Sequence, residues 1–256
     1  MPFVRAIHKI LLDSVRGQDK TPGEFRADQN WIGRKGCAIA EASFVPPNPL
    51  RLADHLEAWS HYIAGEDIDP LLQTAVMHAK FELLHPFKDG NGRIGRLLIP
   101  LFLFQKKRLS QPMFYLSAYL EANRDEYYDA LGAISKNGDW NGWIAFFLHA
   151  IVEQARSNID KVNEIRNLYD SMKLQIQNTT HSQHTIQVLD AIFNRPIFRT
   201  SDFVHETKIL KPTAMTLLRQ LKSAGVLKEL SPGSGRRPAV LCFPALLNIA
   251  EGKKII

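Results

Sequence analysis

The chain has 256 residues, 45% hydrophobic and 23% charged, with a formal net charge of +6 and no biased tract. That is the composition of a soluble globular protein, and the length allows a substantial core plus a second, smaller domain. No apolar run approaches the roughly 20 residues of a membrane span, and the opening MPFVRAIHKILLDSVRG has neither an h-region nor a cleavage site, so a cytoplasmic protein without membrane contact is expected.

Apolar residues recur at helical spacing in 3–15 (Phe3, Ile7, Ile10, Leu11), 50–63, 71–84, 94–107 and 120–134. The exception before residue 70 is RKGCAIAEASFVPPNP, where short alternation after Gly36 and then prolines predict a small hairpin or flap. From Trp140 the sequence predicts one long amphipathic helix to about residue 178, linking two halves. Beyond it, HTIQVLDAIFNRP, RTSDFVHETK and KPTAMTLLRQLKSAGVLKEL predict three helices, with Thr200 or Ser201 as a cap and Pro212 early in the third. Gly225 closes that helix, and VLKELSPGSGRRPAVLCF predicts two strands around a Gly/Ser/Arg loop. This pattern is that of a winged helix-turn-helix.

Charge divides at the same place. Residues 1–176 carry 21 Lys+Arg and 21 Asp+Glu; residues 177–256 carry 11 against 5 and so hold the whole positive excess. A nucleic-acid-binding appendage on a neutral body has this asymmetry. In that reading Lys211, Thr213, Thr216 and Arg219 face a DNA groove, and Arg236 and Arg237 in the wing meet phosphates. A winged helix used for protein contacts is equally consistent with the sequence. Cys37 and Cys242 lie far apart without a CxxC or Cys/His cluster, and are expected as small core residues.

The stretch HPFKDGNGRIGR, residues 85–96, concentrates the polar chemistry. Pro86 disfavours helix through His85, and RIGRLLIPLFLF is apolar enough for a buried helix, so DGNG forms a turn between two helices. A Gly-flanked backbone entering a helix points several N–H groups one way, with the helix dipole behind them, which makes a phosphate site. Arg93 and Arg96, three apart, share a face and reach a polyphosphate, while Asp89 is spaced to hold a divalent cation. Asn91 between Gly90 and Gly92 is placed to donate to a phosphate oxygen. His85, outside the nest, is suited to take a proton from an incoming hydroxyl. No GxxxxGK[ST] occurs.

These residues complete the pattern HxFx(D/E)GNGRxxR, and the sequence resembles the Fic (Fic/Doc) family. The resemblance implies a mainly α Fic-type helical bundle with a small β-hairpin flap over residues 1–140; the closing or linker helix over 141–178 and the winged-helix domain over 179–256 follow it. It implies transfer of AMP from ATP to a Ser, Thr or Tyr hydroxyl of a target protein, with release of pyrophosphate. His85 would be the base, Asp89 would hold Mg²⁺, Phe87 would be a buried wedge, and Gly90, Asn91, Gly92, Arg93 and Arg96 would bind the phosphates. TPGEFRADQNWIG with ASFVPP is similar to the family's flap, and Tyr127 or Tyr128 in EANRDEYYDALGAI is a candidate for the adenine pocket. His8, His55, His61, His78 and His149 are read as surface or satisfied core residues.

One family feature is missing. The inhibitory pattern [ST]xxxE[GN] does not occur, so Arg96 is expected to be unrestrained within this sequence, or restrained by a partner chain. The alternatives are a DNA-binding regulator that senses nucleotide without transferring it, which has no need of His85, and an enzyme that removes AMP, which the missing glutamate disfavours.

Overall fold

The computed structural model describes residues 1–13, 20–34, 36–67, 69–235 and 237–256. It divides into two compact units, Met1–Ala155 and Arg156–Ile256.

The first unit is built on helices α1 (Pro2–Asp13), α2 (Leu52–Ala64), α3 (Pro70–Leu84), α4 (Asn91–Gln105), α5 (Ser117–Ala122), α6 (Arg124–Asn137) and the start of α7 (Trp140–Thr180). α3 starts where the sequence says it should: the Asp69 carboxylate accepts from the N–H groups of Leu71 and Leu72, and Pro70 occupies the first turn. It is the central helix, packed on α2, α4 and α6. Two apolar clusters flank it. Val4, Leu56, Trp59, Phe81, Phe87 and Ile94 form one, and Ala79, Ile99, Leu120, Tyr127, Trp143 and Phe147 the other. Each cluster has a tryptophan whose indole N–H donates to an α3 carbonyl, Trp59 to Met77 and Trp143 to Ala75, both at 2.9 Å. The first half of α3 is thereby held from two sides.

Two expectations need adjusting here. Among the described residues the flap holds one antiparallel bridge, Ile32 with Phe44, rather than a ladder of strands, and a 3-10 turn at Ile39–Glu41 takes up the alternating segment. The helix expected over 120–134 is broken at Asn123, where α5 ends and α6 begins. Cys37 is half-buried in the flap and Cys242 fully buried, both as free thiols.

In the second unit the latter part of α7 is followed by α8 (Thr185–Asn194), β1 (Ile197–Arg199), α9 (Thr200–Thr207), α10 (Lys211–Ser223), β2 (Lys228–Ser231), β3 (Val240–Cys242) and α11 (Pro244–Glu251). The strands form an antiparallel sheet in the order β1-β3-β2, with Ile197 opposite Cys242 and Lys228 opposite Cys242 on the other side. Val188, Ile192, Phe198, Phe203, Leu217, Leu221, Leu241 and Phe243 make its core. β1 and α11 were not anticipated. Neither Thr200 nor Ser201 caps a helix: Thr200 is the first residue of α9, is buried, and gives its N–H to the Ala239 carbonyl.

Candidate active site

α3 ends on His85, a left-handed residue (φ 46°, ψ 58°) whose N–H still closes onto the Phe81 carbonyl. Such a conformation is costly for a residue with a Cβ, so the surroundings must over-determine it. Pro86 and the buried Phe87 carry the chain to Gly90, whose φ of 80° turns it into α4. The first ladder bond of α4 runs from Ile94 N–H to the Gly90 carbonyl, leaving the N–H groups of Asn91, Gly92 and Arg93 outside the ladder, as an anion site requires.

Buried polar side chains hold the loop from beneath. The Asn91 amide accepts from Phe87 N–H and donates to the Phe87 carbonyl, both at 2.8 Å, and the residue is only 2% exposed. The expectation that Asn91 donates directly to phosphate is corrected on this point: its amide braces the loop. Phe87 is fully buried and stacked on the His8 ring, with the ring centroids 3.8 Å apart. His8 Nδ1 accepts from Gly23 N–H, so its proton sits on Nε2 and is donated to the Asp89 carbonyl at 2.9 Å. Burial, the largest influence, lowers the His8 pKa and keeps the ring neutral.

The chemically open groups are on the other side. Burial, aided by the charge of Arg26, pushes the His85 imidazole down to about 4. It is neutral at physiological pH, and its Nδ1 is shielded and makes no hydrogen bond among the described residues. Asp89 Oδ1 accepts from Gly90 N–H, and Oδ2 lies 3.6 Å from the Arg93 guanidinium. Among the described residues no group of three or more His, Cys, Asp or Glu side chains gathers. A single half-exposed carboxylate nevertheless suits Mg²⁺ where nucleotide phosphates share it, because the ion takes one or two carboxylates and completes its octahedron with water and substrate phosphates. A cavity of about 340 Å³ opens beside the loop, lined by Lys20, Asp28, Gln29, Asn30, Trp31 and Lys88.

Behind Arg96 lies a group that the sequence reading missed. Glu82 is a carboxylate inside the apolar run FELL; its Oε1 is shielded without a hydrogen-bond partner among the described residues, and burial raises its pKa to about 7 despite the opposing charge of Arg96. Gly95 makes the room: a Cβ there would lie 2.1 Å from Glu82 Oε1. His78 completes this layer, with Nδ1 donating to the Gly95 carbonyl and Nε2 accepting from the Tyr127 hydroxyl. Tyr127 is therefore a core residue, 4% exposed with its hydroxyl engaged, and the adenine-pocket expectation does not hold for it. Tyr128 is exposed, with Arg124 over its ring.

The Fic/DOC family model matches residues 2–103, a span that contains α1, the flap, the loop and most of α4. The chain carries a Fic/DOC family domain. The Fic domain is similar to the protein adenylyltransferase Fic of Aedes aegypti, at 32% identity over 146 residues, which is 55% of this chain and 25% of that protein. A probable protein adenylyltransferase of Aquifex aeolicus is 30% identical over 104 residues, 40% of this chain and 32% of that one. The chain thus spans a quarter to a third of the length of these relatives. Among solved structures, a Fic family protein from Desulfovibrio desulfuricans G20 shares the fold at a TM-score of 0.56 and 20% identity, over 94% of this chain and 68% of that one.

In the second unit, Lys211, Thr213, Thr216 and Arg219 are exposed on α10, while Ala214, Leu217, Leu218 and Leu221 on its opposite face enter the core. Arg237 is exposed between β2 and β3; Arg236 lies outside the described residues. No helix among the described residues is long and apolar enough to cross a membrane.

Proposed function

We propose that the Fic domain is a protein adenylyltransferase that moves AMP from ATP to a Ser, Thr or Tyr hydroxyl of a target protein. The observation that carries this reading is the neutral His85 imidazole facing the same loop that offers the α4 N-terminus and two arginines. The N–H groups of Gly92 and Arg93 and the guanidinium of Arg93 bind the phosphates, and Arg96 holds the terminal one. Asp89 would hold Mg²⁺ together with the nucleotide, and the ion would supply charge neutralisation. His85 takes the proton of the acceptor hydroxyl as its oxygen bonds to the α-phosphorus; the bond from that phosphorus to the bridging oxygen breaks, and pyrophosphate leaves. The triphosphate's negative charge raises the His85 pKa from about 4 towards neutrality, so the base gains strength when substrate is present. A nucleotide sensor needs the arginines but no base.

The test is mass spectrometry of lysate proteins incubated with the purified chain, ATP and Mg²⁺. AMP adducts on hydroxyl residues are expected with wild type and not with His85→Ala; adducts of equal abundance with both would remove His85 as the base.

A separate reading applies to the second unit. The exposed polar face of α10, with Arg237 beyond it, supports contact with duplex DNA through a winged helix. Fluorescence anisotropy with random duplex at two salt concentrations tests it, and affinity that does not fall with salt would remove the claim.

A further inference from the structure

The buried guanidinium of Arg26 has no part in the phosphate chemistry. It is 3% exposed, and among the described residues no carboxylate pairs with it. Its partners are carbonyl oxygens: Nε donates to His85 at 2.9 Å, one terminal nitrogen to Pro47 at 2.6 Å and Leu84 at 3.4 Å, and the other to Asp28 at 3.4 Å. Its backbone N–H donates to the Pro86 carbonyl at 2.8 Å. One residue therefore binds three successive carbonyls, those of Leu84, His85 and Pro86, around the one left-handed residue of the loop that has a side chain. The remaining partners, Asp28 and Pro47, stand at the two roots of the flap.

A buried cation without a counter-ion is an expensive structural fastener, and burial does lower the Arg26 pKa. Only a guanidinium spans this set of acceptors: Lys has the charge but not the planar fork, and Gln has fewer donors and no charge. Two neighbouring ties run the same way, from Asn30 to the Phe87 carbonyl at 3.2 Å and from Asp28 to Lys88 at 2.9 Å.

We propose that Arg26 is a positioning residue for His85: it locks the left-handed turn that aims the imidazole, sets a fixed positive charge behind the ring, and ties the roots of the flap to the base. The charged groups facing His85 are Arg26 from the flap root and Asp89 from its own loop, with the Glu82 carbonyl of α3 as the nearby dipole. The catalytic part of the proposal rests on His85 being the base, but the electrostatic part does not.

The experiment uses the full chain with ¹³Cε1-labelled histidine, the His85 signal being assigned with His85→Gln. In Arg26→Gln the His85 pKa is expected to rise by roughly one unit, because a facing positive charge is gone. In Arg26→Lys, which keeps charge but loses the fork, transfer is expected to fall at least about tenfold in kcat with KM for ATP unchanged, because the nucleotide is held by α4. The Lys variant also keeps the proposal testable if the Gln variant does not fold. An unshifted His85 titration in folded Arg26→Gln, or a wild-type kcat in Arg26→Lys, would overturn it. Should wild type transfer nothing at all, the proposed function fails while the His85 titration still decides the positioning.

Discussion

Two of the molecule's helix–turn–helix junctions start alike and differ in where their polar groups point. α3 ends on left-handed His85 (φ 46°) and α9 on left-handed Lys208 (φ 57°), both unusual for residues with side chains. At the first junction the polar groups turn inward: Arg26, His8 and Asn91 spend their hydrogen bonds on the loop's own backbone. At the second, the turn is held by buried Ile209 and by Thr207, whose hydroxyl bonds the Phe203 carbonyl, while Lys208, Leu210 and Lys211 face water. Inward polar groups fix a backbone before any ligand arrives. Outward ones leave a solvated surface whose use depends on a partner.

The largest effect that would break this contrast is chemical. His85→Ala is expected to reduce transfer by about 10²–10⁴-fold in a labelled-ATP assay while calorimetry finds ATP affinity unchanged. Next is packing behind the loop. Gly95→Ala forces a Cβ against the Glu82 carboxylate and is expected to destabilise by about 1–3 kcal/mol in urea titrations. Gly132→Ala in α6, where a Cβ meets open space, is the control and is expected to stabilise by about 0.5–1 kcal/mol. A harmless Gly95→Ala would mean the layer under Arg96 is loosely built.

A third prediction concerns pH. Glu82 has a raised folded-state pKa, about 7 against an ordinary 4.5, so folding favours its protonated form and stability is lost as pH climbs between those values. Glu82→Gln is expected to remove that loss, gaining on the order of 2 kcal/mol over wild type at pH 8 and little below pH 4, by denaturant titration at each pH. His78 and His85, both lowered to about 4, act in the opposite sense: their contribution is complete above 6.5 and is lost as pH falls towards 4. The smallest effect belongs to the second junction. Arg219→Ala is expected to leave stability within about 0.5 kcal/mol, and to lower the salt slope of duplex binding by about 1 if that face meets phosphate.

The loop was legible in the sequence because its polar groups are contiguous: twelve residues carry His85, Phe87, Asp89, Asn91, three glycines and both arginines. The residues that make it work were not. Arg26, His8 and Glu82 reach the loop only through tertiary packing, and periodicity says nothing about which distant side chain will find a carbonyl. A carboxylate inside the apolar FELL run was the one available signal for Glu82. Helical spacing likewise could not tell that Tyr127 faces His78 rather than a pocket, nor that Asn91 turns its amide under the loop. In the second unit β1 is three residues long, too short for alternation to register, and PALLN reads as easily as strand as it does helix.

The most direct measurement compares ATP labelled at the α-phosphate with ATP labelled at the γ-phosphate, each incubated with the chain, Mg²⁺ and lysate proteins. Label reaching protein from the α position alone, and lost in His85→Ala, is the expected result. Label arriving from the γ position, or persisting in His85→Ala, would contradict it.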